Sequence, residues 1–143
     1  MSPGQPDPTV VRRHLLALDE ALEHLRRHAR RPLSVIETDP DERWTVERGL
    51  QLCAQNVLDI ATHLAASAGR DAPDYASAID VLAELGILPA DFARRLRGIA
   101  GFRNVLVHGY LAVDIARIHR FLNSGLDDLA EFAQLVEHHI RSV

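Results

Sequence analysis

The chain has 143 residues, which fits one domain rather than two. Hydrophobic residues make up 47%, which excludes wholesale disorder and leaves material for a core. The net charge of -4 excludes a uniformly cationic polyanion-binding surface, though a local cationic site remains compatible with RNA.

All 16 cationic side chains other than histidine are arginine, which suits bidentate phosphate contacts. The single cysteine, Cys53, gives neither a disulfide framework nor a cysteine-rich metal site, and it reads as core. No apolar run approaches the roughly 18 residues that would span a bilayer. The N-terminus lacks the basic-then-apolar pattern of a secretory signal. A reducing, cytoplasmic address is the expectation. Leucine, alanine and arginine are abundant, and few β-branched runs occur, so the composition favours helices.

Residues 1–9, with three prolines and a glycine, are expected to be a disordered tail, and residues 10–143 one helical domain. The first helix should start near Pro8 or Thr9, with Thr9 as a cap. Val11, Leu15, Leu18, Leu22 and Leu25 form its apolar stripe. A basic run from Arg26 to Arg31 suits its C-terminal dipole, and Pro32 stops it. Residues 32–41 read as a linker. The second helix should run from Asp41 to Ala68 behind Val46, Leu50, Cys53, Val57, Ile60 and Leu64, with Gly49 permitting close helix contact and Gly69 ending it. A short third helix is expected over Asp74 to Leu85, closed by Gly86. The fourth runs from Pro89 to Val107 and loosens at Gly109. The last is capped by Asp114, bends at Gly125 and continues to the end. Such stripes predict an all-α, up-down four-helix bundle with one additional short helix. The helix faces near residues 99–107 carry more apolar surface than a monomer needs, which suggests a two-fold homodimer.

The chemistry concentrates between Gly101 and Tyr110, where Arg103, Asn104 and His108 interrupt an apolar run. Buried in a helix interface, such groups are expensive unless paired. On an ideal helix Arg103 and His108 point about 140° apart. They converge if the helix ends or distorts near Gly109, or if two subunits juxtapose their copies. Histidine titrates near neutrality, so His108 can take a proton from a ribose 2′-hydroxyl or give one to a leaving oxygen. Arg103 can hold a phosphate and offset charge growing on its oxygens. Together they suit RNA cleavage by internal 2′-hydroxyl attack, with no metal or cofactor, and the 2′-hydroxyl requirement excludes DNA. Asn104 would orient the histidine or cap backbone groups. Tyr110 would touch substrate or carry a regulatory modification.

The run from Arg103 to Tyr110 resembles the Arg-x4-His-x-Tyr signature of HepT-like proteins, a family of the HEPN superfamily. Gly101-Phe102, the segment from Asn56 to His63 and the segment from Leu82 to Pro89 are similar to that family too, so the resemblance spans about residues 11–140. It implies a homodimeric HEPN-like bundle and a metal-independent endoribonuclease acting as the toxin of a toxin–antitoxin pair, with tRNA one candidate substrate. It also implies catalytic roles for Arg103 and His108 in a cleft between subunits. The implied partner is a minimal (MNT-type) nucleotidyltransferase that transfers AMP to Tyr110. Adenylate there would block the cleft by bulk and by negative charge beside Arg103.

Asp59 and His63 stand one helical turn apart without further patterned ligands, so a metal is not expected. Asp59 is expected instead to support catalysis by pairing with an arginine, Arg103 being the candidate. His14, His24, His28, His119, His138 and His139 are expected to be solvated. Arg94, Arg95 and Arg97 lie just upstream of the motif and are candidates for assisting phosphate binding. Two other functions stay open on the residues alone. One is a non-catalytic module that helps a nucleotidyltransferase hold its nucleotide or substrate. The other is a structural helical dimer, in which Arg103, Asn104 and His108 form a satisfied buried network.

Overall fold

The computed structural model describes residues 5–108 and 114–142, and for Val107 and His108 the backbone alone. Eight helices, and no strand, occur among the described residues: α1 (Pro8–His28), α2 (Leu33–Thr38), α3 (Pro40–Ser67), α4 (Tyr75–Glu84), α5 (Ala90–Leu96), α6 (Gly98–His108), α7 (Ile115–Ser124) and α8 (Leu126–Arg141). The all-α bundle expected from the apolar stripes is present. Long α3 is its central post, contacting α1, α2, α4, α6 and α8.

Each boundary has a local cause. Asp7, not Thr9, caps α1: its carboxylate accepts the Thr9 N–H at 3.0 Å, and Pro8 fills the first turn. Asp39 caps α3 through the N–H groups of Asp41 and Glu42. Asp74 and Asp114 cap α4 and α7 in the same way. Gly69 and Gly86, with φ of 73° and 76°, close α3 and α4. In both closures the following N–H reaches back five residues, Arg70 to the Ala65 carbonyl and Ile87 to the Leu82 carbonyl, which is the Schellman pattern.

Three segments depart from the sequence expectation. The linker at 32–41 contains α2, a helix too short to show periodicity, held by fully buried Ile36. The helix expected over Pro89 to Val107 is split at Arg97, where the Ala100 N–H bonds to the Arg97 carbonyl in a tighter i to i+3 turn. Gly98, a weak helix former, follows at once. The last helix is divided at Gly125, the expected bend.

The core is one continuous cluster. Leu18, Leu25, Leu50, Leu58, Ile60, Ile79, Leu82, Ile118 and Phe132 are essentially inaccessible, each contributing about 1.5–3 kcal/mol of burial. Gly49 lets Leu25 of α1 pack closely on α3. A β-carbon there would sit 2.6 Å from the Leu25 Cδ2 atom. No helix among the described residues is long and apolar enough to cross a membrane.

Candidate active site

The motif arginine lies at the seam between α3 and α6. Gln51, Gln55 and Asp59 recur at intervals of four on α3, so they form a polar stripe beside the helix's apolar face. Gln51 Nε2 donates to the Leu106 carbonyl on α6 at 2.9 Å. One turn along, Arg103 Nε donates to Gln55 Oε1 at 2.9 Å. The Gln55 amide nitrogen donates in turn to Asp59 Oδ1 at 2.7 Å and, more weakly, to the Tyr75 hydroxyl at 3.4 Å. The Arg103 guanidinium also lies over the Tyr75 ring, 5.6 Å from its centroid, a cation–π distance. Asn104 Oδ1 accepts from Arg103 Nη1 at 3.2 Å.

Asp59 therefore reaches Arg103 through Gln55 rather than by a direct ion pair. The amide of Gln55 can accept from the guanidinium with its oxygen and donate to the carboxylate with its nitrogen, so it relays the contact. Sequence reasoning missed both Gln55 and Tyr75. The i, i+4 recurrence of Gln51, Gln55 and Asp59 was the available signal for Gln55. Tyr75 gave none, because its approach depends on how α4 packs on α3. Chemically, the guanidinium is held by its Nε edge and one face. Its Nη2 has no hydrogen-bond partner among the described residues, which leaves an edge to offer a phosphate oxygen.

Asn104 is exposed. α6 is helical through position 108, so backbone register keeps residues 103 and 108 about 140° apart around its axis. The His108 side chain and the whole of Tyr110 lie outside the described residues. So does Gly109, where the sequence suggested loosening.

Several other polar residues have structural partners. His63 Nε2 accepts the Asp7 N–H at 3.2 Å, while its neighbour Asp59 is engaged by Gln55, so the two face different partners. His14 Nδ1 donates to Asn56 Oδ1 at 2.8 Å. His28 donates to buried Glu42, which also accepts from Arg31 Nη1 at 3.3 Å. His119 Nε2 donates to the Arg31 carbonyl at 3.1 Å. The expectation that these histidines are merely solvated fails for His14, His28 and His119, because each donates to an acceptor on another segment: the Asn56 amide oxygen, the Glu42 carboxylate and the Arg31 carbonyl. Burial lowers the pKa of His139, and the neighbouring His138 adds to this. Burial pushes the Cys53 thiol up to about 12, so it is an inert core residue. Arg94, Arg95 and Arg97 are each committed to carboxylates: Arg94 to Asp91, Arg95 to Asp128 at 3.6 Å, and Arg97 to Asp80 at 3.0 Å.

A helical bundle that anchors an arginine of an Arg-x4-His-x-Tyr segment against its central helix is the setting of a HEPN-type site. The chain belongs to the HepT-like ribonuclease family, whose model matches residues 18–136. It is 22% identical over 136 residues to the tRNA nuclease HepT of Aphanizomenon flos-aquae, covering 94% of this chain and 92% of that protein. Its fold matches a tri-AMPylated Shewanella oneidensis HEPN toxin solved in complex with MNT antitoxin, with TM-score 0.79 and 17% identity over 90% of this chain and 97% of that one. It also matches YutE, a cytosolic Bacillus subtilis protein of unknown function, with TM-score 0.83 and 16% identity over 96% of this chain and 92% of that one.

Proposed function

We propose that this chain is an endoribonuclease toxin that cleaves RNA without a metal, works as a homodimer and is silenced by a nucleotidyltransferase antitoxin. The observation that carries the reading is the anchored Arg103, clamped by Gln55 and stacked on Tyr75 with one edge left for a phosphate. The family membership and the nuclease relative support the reaction class.

In the proposed reaction His108 takes the proton of a ribose 2′-hydroxyl. The 2′-oxygen attacks the adjacent phosphorus, the 5′-oxygen leaves and is protonated, and a 2′,3′-cyclic phosphate remains. Arg103 offsets the charge growing on the non-bridging oxygens. Asn104 and Asp59 support the site, Asn104 directly against the guanidinium and Asp59 through Gln55. The angular separation of positions 103 and 108 on an unbroken α6 favours a cleft built from two subunits. The neighbour solved with an MNT antitoxin in a tri-AMPylated form supports Tyr110 as the position that receives adenylate. The added phosphodiester would place negative charge and bulk in front of Arg103.

The test is RNA cleavage in EDTA by purified wild type, Arg103→Ala and His108→Ala, each confirmed folded and dimeric, with tRNA as substrate and end-group analysis. Cleavage by wild type alone, leaving cyclic or 3′-phosphate ends, is expected. A wild type whose Tyr110 carries no added mass and which still leaves RNA intact would overturn the proposal.

A further inference from the structure

Phe102 and Arg103 are neighbours on α6 but serve different sides of it. Arg103 turns to α3, whereas Phe102 borders a cavity of about 390 Å³ between α5, α6, α7 and α8. That volume lies within the range of small-molecule sites. The cavity wall is aromatic: the Phe102 and Phe121 rings stack 4.5 Å apart at 19°, and Ile99 adjoins them. The rim is cationic. The Arg117 guanidinium lies 5.4 Å over the Phe102 ring, and Arg120 stands one turn further along α7. Neither Arg117 nor Arg120 has a carboxylate within 4.0 Å among the described residues, whereas Arg95, on the same rim, is paired with Asp128. The cavity thus has an apolar wall and two rim guanidinium groups without a carboxylate partner among the described residues.

The geometry points to a nucleotide-unit subsite for substrate RNA, and we propose that the cavity takes one unstacked base against its apolar wall while Arg117 and Arg120 hold the adjoining phosphates. Unpaired RNA is recognised in this way, by bases splayed onto aromatic or guanidinium surfaces. Among the described residues a β-carbon on Gly98 or Gly101 would meet nothing within 4 Å, and Asn104 lies about 9 Å along the axis from Gly98. Gly98, Gly101 and Asn104 thus lead along α6 from the cavity towards the motif. The inference rests on the ribonuclease reading and adds to it the place where the strand beside the cut is held. An acidic protein face would also engage the arginines, but RNA couples a flat base to flanking phosphates within each repeating unit, so RNA is the occupant the cavity favours.

The experiment uses the full chain, with a fluorescent 2′-O-methyl RNA dodecamer that resists 2′-hydroxyl attack, and fluorescence anisotropy across a salt series. Arg117→Ala and Arg120→Ala are expected to weaken binding several-fold each and to lower the salt slope by about one apiece. Gly98→Phe places a side chain across the cavity mouth. It is expected to weaken binding with the salt slope unchanged. Thermal melts confirm that each variant is folded. Variants within twofold of wild type at every salt concentration would overturn this inference while leaving RNA cleavage by wild type to stand. Variants that keep RNA binding but lose the nucleotidyltransferase would overturn it in favour of a protein-docking role. A wild type that neither binds nor cleaves RNA would overturn the ribonuclease reading, and this inference with it.

Discussion

Two polar clusters sit on the same helix, α3, and they differ in how completely they are satisfied. Near its N-terminus, Glu42 is 7% exposed, and both of its carboxylate oxygens are taken, one by His28 and one by Arg31. Four turns later, Gln55 and Asp59 hold Arg103 by part of its guanidinium and leave Nη2 without a partner among the described residues. A saturated buried cluster ties helix ends together: here the end of α1 is fastened to the start of α3. A cluster that fixes a charged group by one edge and presents the other is built to meet something else. The contrast separates a polar network that specifies the fold from one that is available for chemistry.

The largest effect should come from the open cluster. Arg103→Ala is expected to lower RNA cleavage by about 10²- to 10³-fold, the usual loss when one charge-stabilising donor is removed from a site. Its melting temperature should stay close to wild type, because the residue is half-buried and its removal leaves only the Gln55 and Asn104 side chains to rebond. The closed cluster should behave in the opposite sense. Glu42→Ala is expected to destabilise the fold by about 2 kcal/mol, below the usual range for breaking a buried pair because Arg31 is half exposed. Its cleavage rate per folded molecule should be unchanged. Denaturant melts and single-turnover cleavage on both variants would separate the two. A Glu42→Ala protein that is stable but inactive would break the comparison.

The helices, their order and most of their ends were legible in the sequence because each depends on neighbours within a few residues. Stripes of Leu, Ile and Val at three- and four-residue spacing, Asp114 before α7, and Gly69 and Gly86 after α3 and α4 are all local signals. The tight Gly49–Leu25 approach was legible as well, as a glycine where propensity argued against one. What stayed hidden depends on tertiary packing. α2 exists because Ile36 finds a pocket, and six residues carry no periodicity to reveal that. The motif itself stood out as polar residues in an apolar run. Its support did not, since Tyr75 comes from another helix and Gln55 stands where a direct Asp59–Arg103 pair was expected.

Gln55 gives a smaller and sharper test of the open cluster. Gln55→Leu keeps the size of the side chain but removes both the acceptor for Arg103 and the donor for Asp59. If Gln55 positions the guanidinium, cleavage should fall about tenfold, roughly 1.4 kcal/mol in the barrier, with KM nearly unchanged. Gln55→Glu retains an acceptor for Arg103 and should recover much of the loss. A variant whose KM rises while kcat holds would instead assign Gln55 to substrate binding.

The smallest expected effect concerns a histidine that has no engaged acid. His28 is matched to Glu42, whereas His139 is partly buried beside His138, and burial first and His138 second hold its pKa below the ordinary 6.5. A histidine depressed in the folded state binds fewer protons there than in the unfolded chain. Its contribution to stability is therefore complete above pH 6.5 and is lost as the pH falls through and below that value. Asp19 and Glu47 work in the reverse direction at lower pH. Burial raises both carboxyl pKa values, so they take up protons more readily when folded and favour the folded state as the pH falls. The His139 effect is read in the window just below pH 6.5. His139→Gln should flatten the fall in denaturant midpoint across that window and leave the midpoint at pH 7.5 nearly unchanged. A slope that persists unchanged in His139→Gln would overturn the assignment of this acid sensitivity to His139.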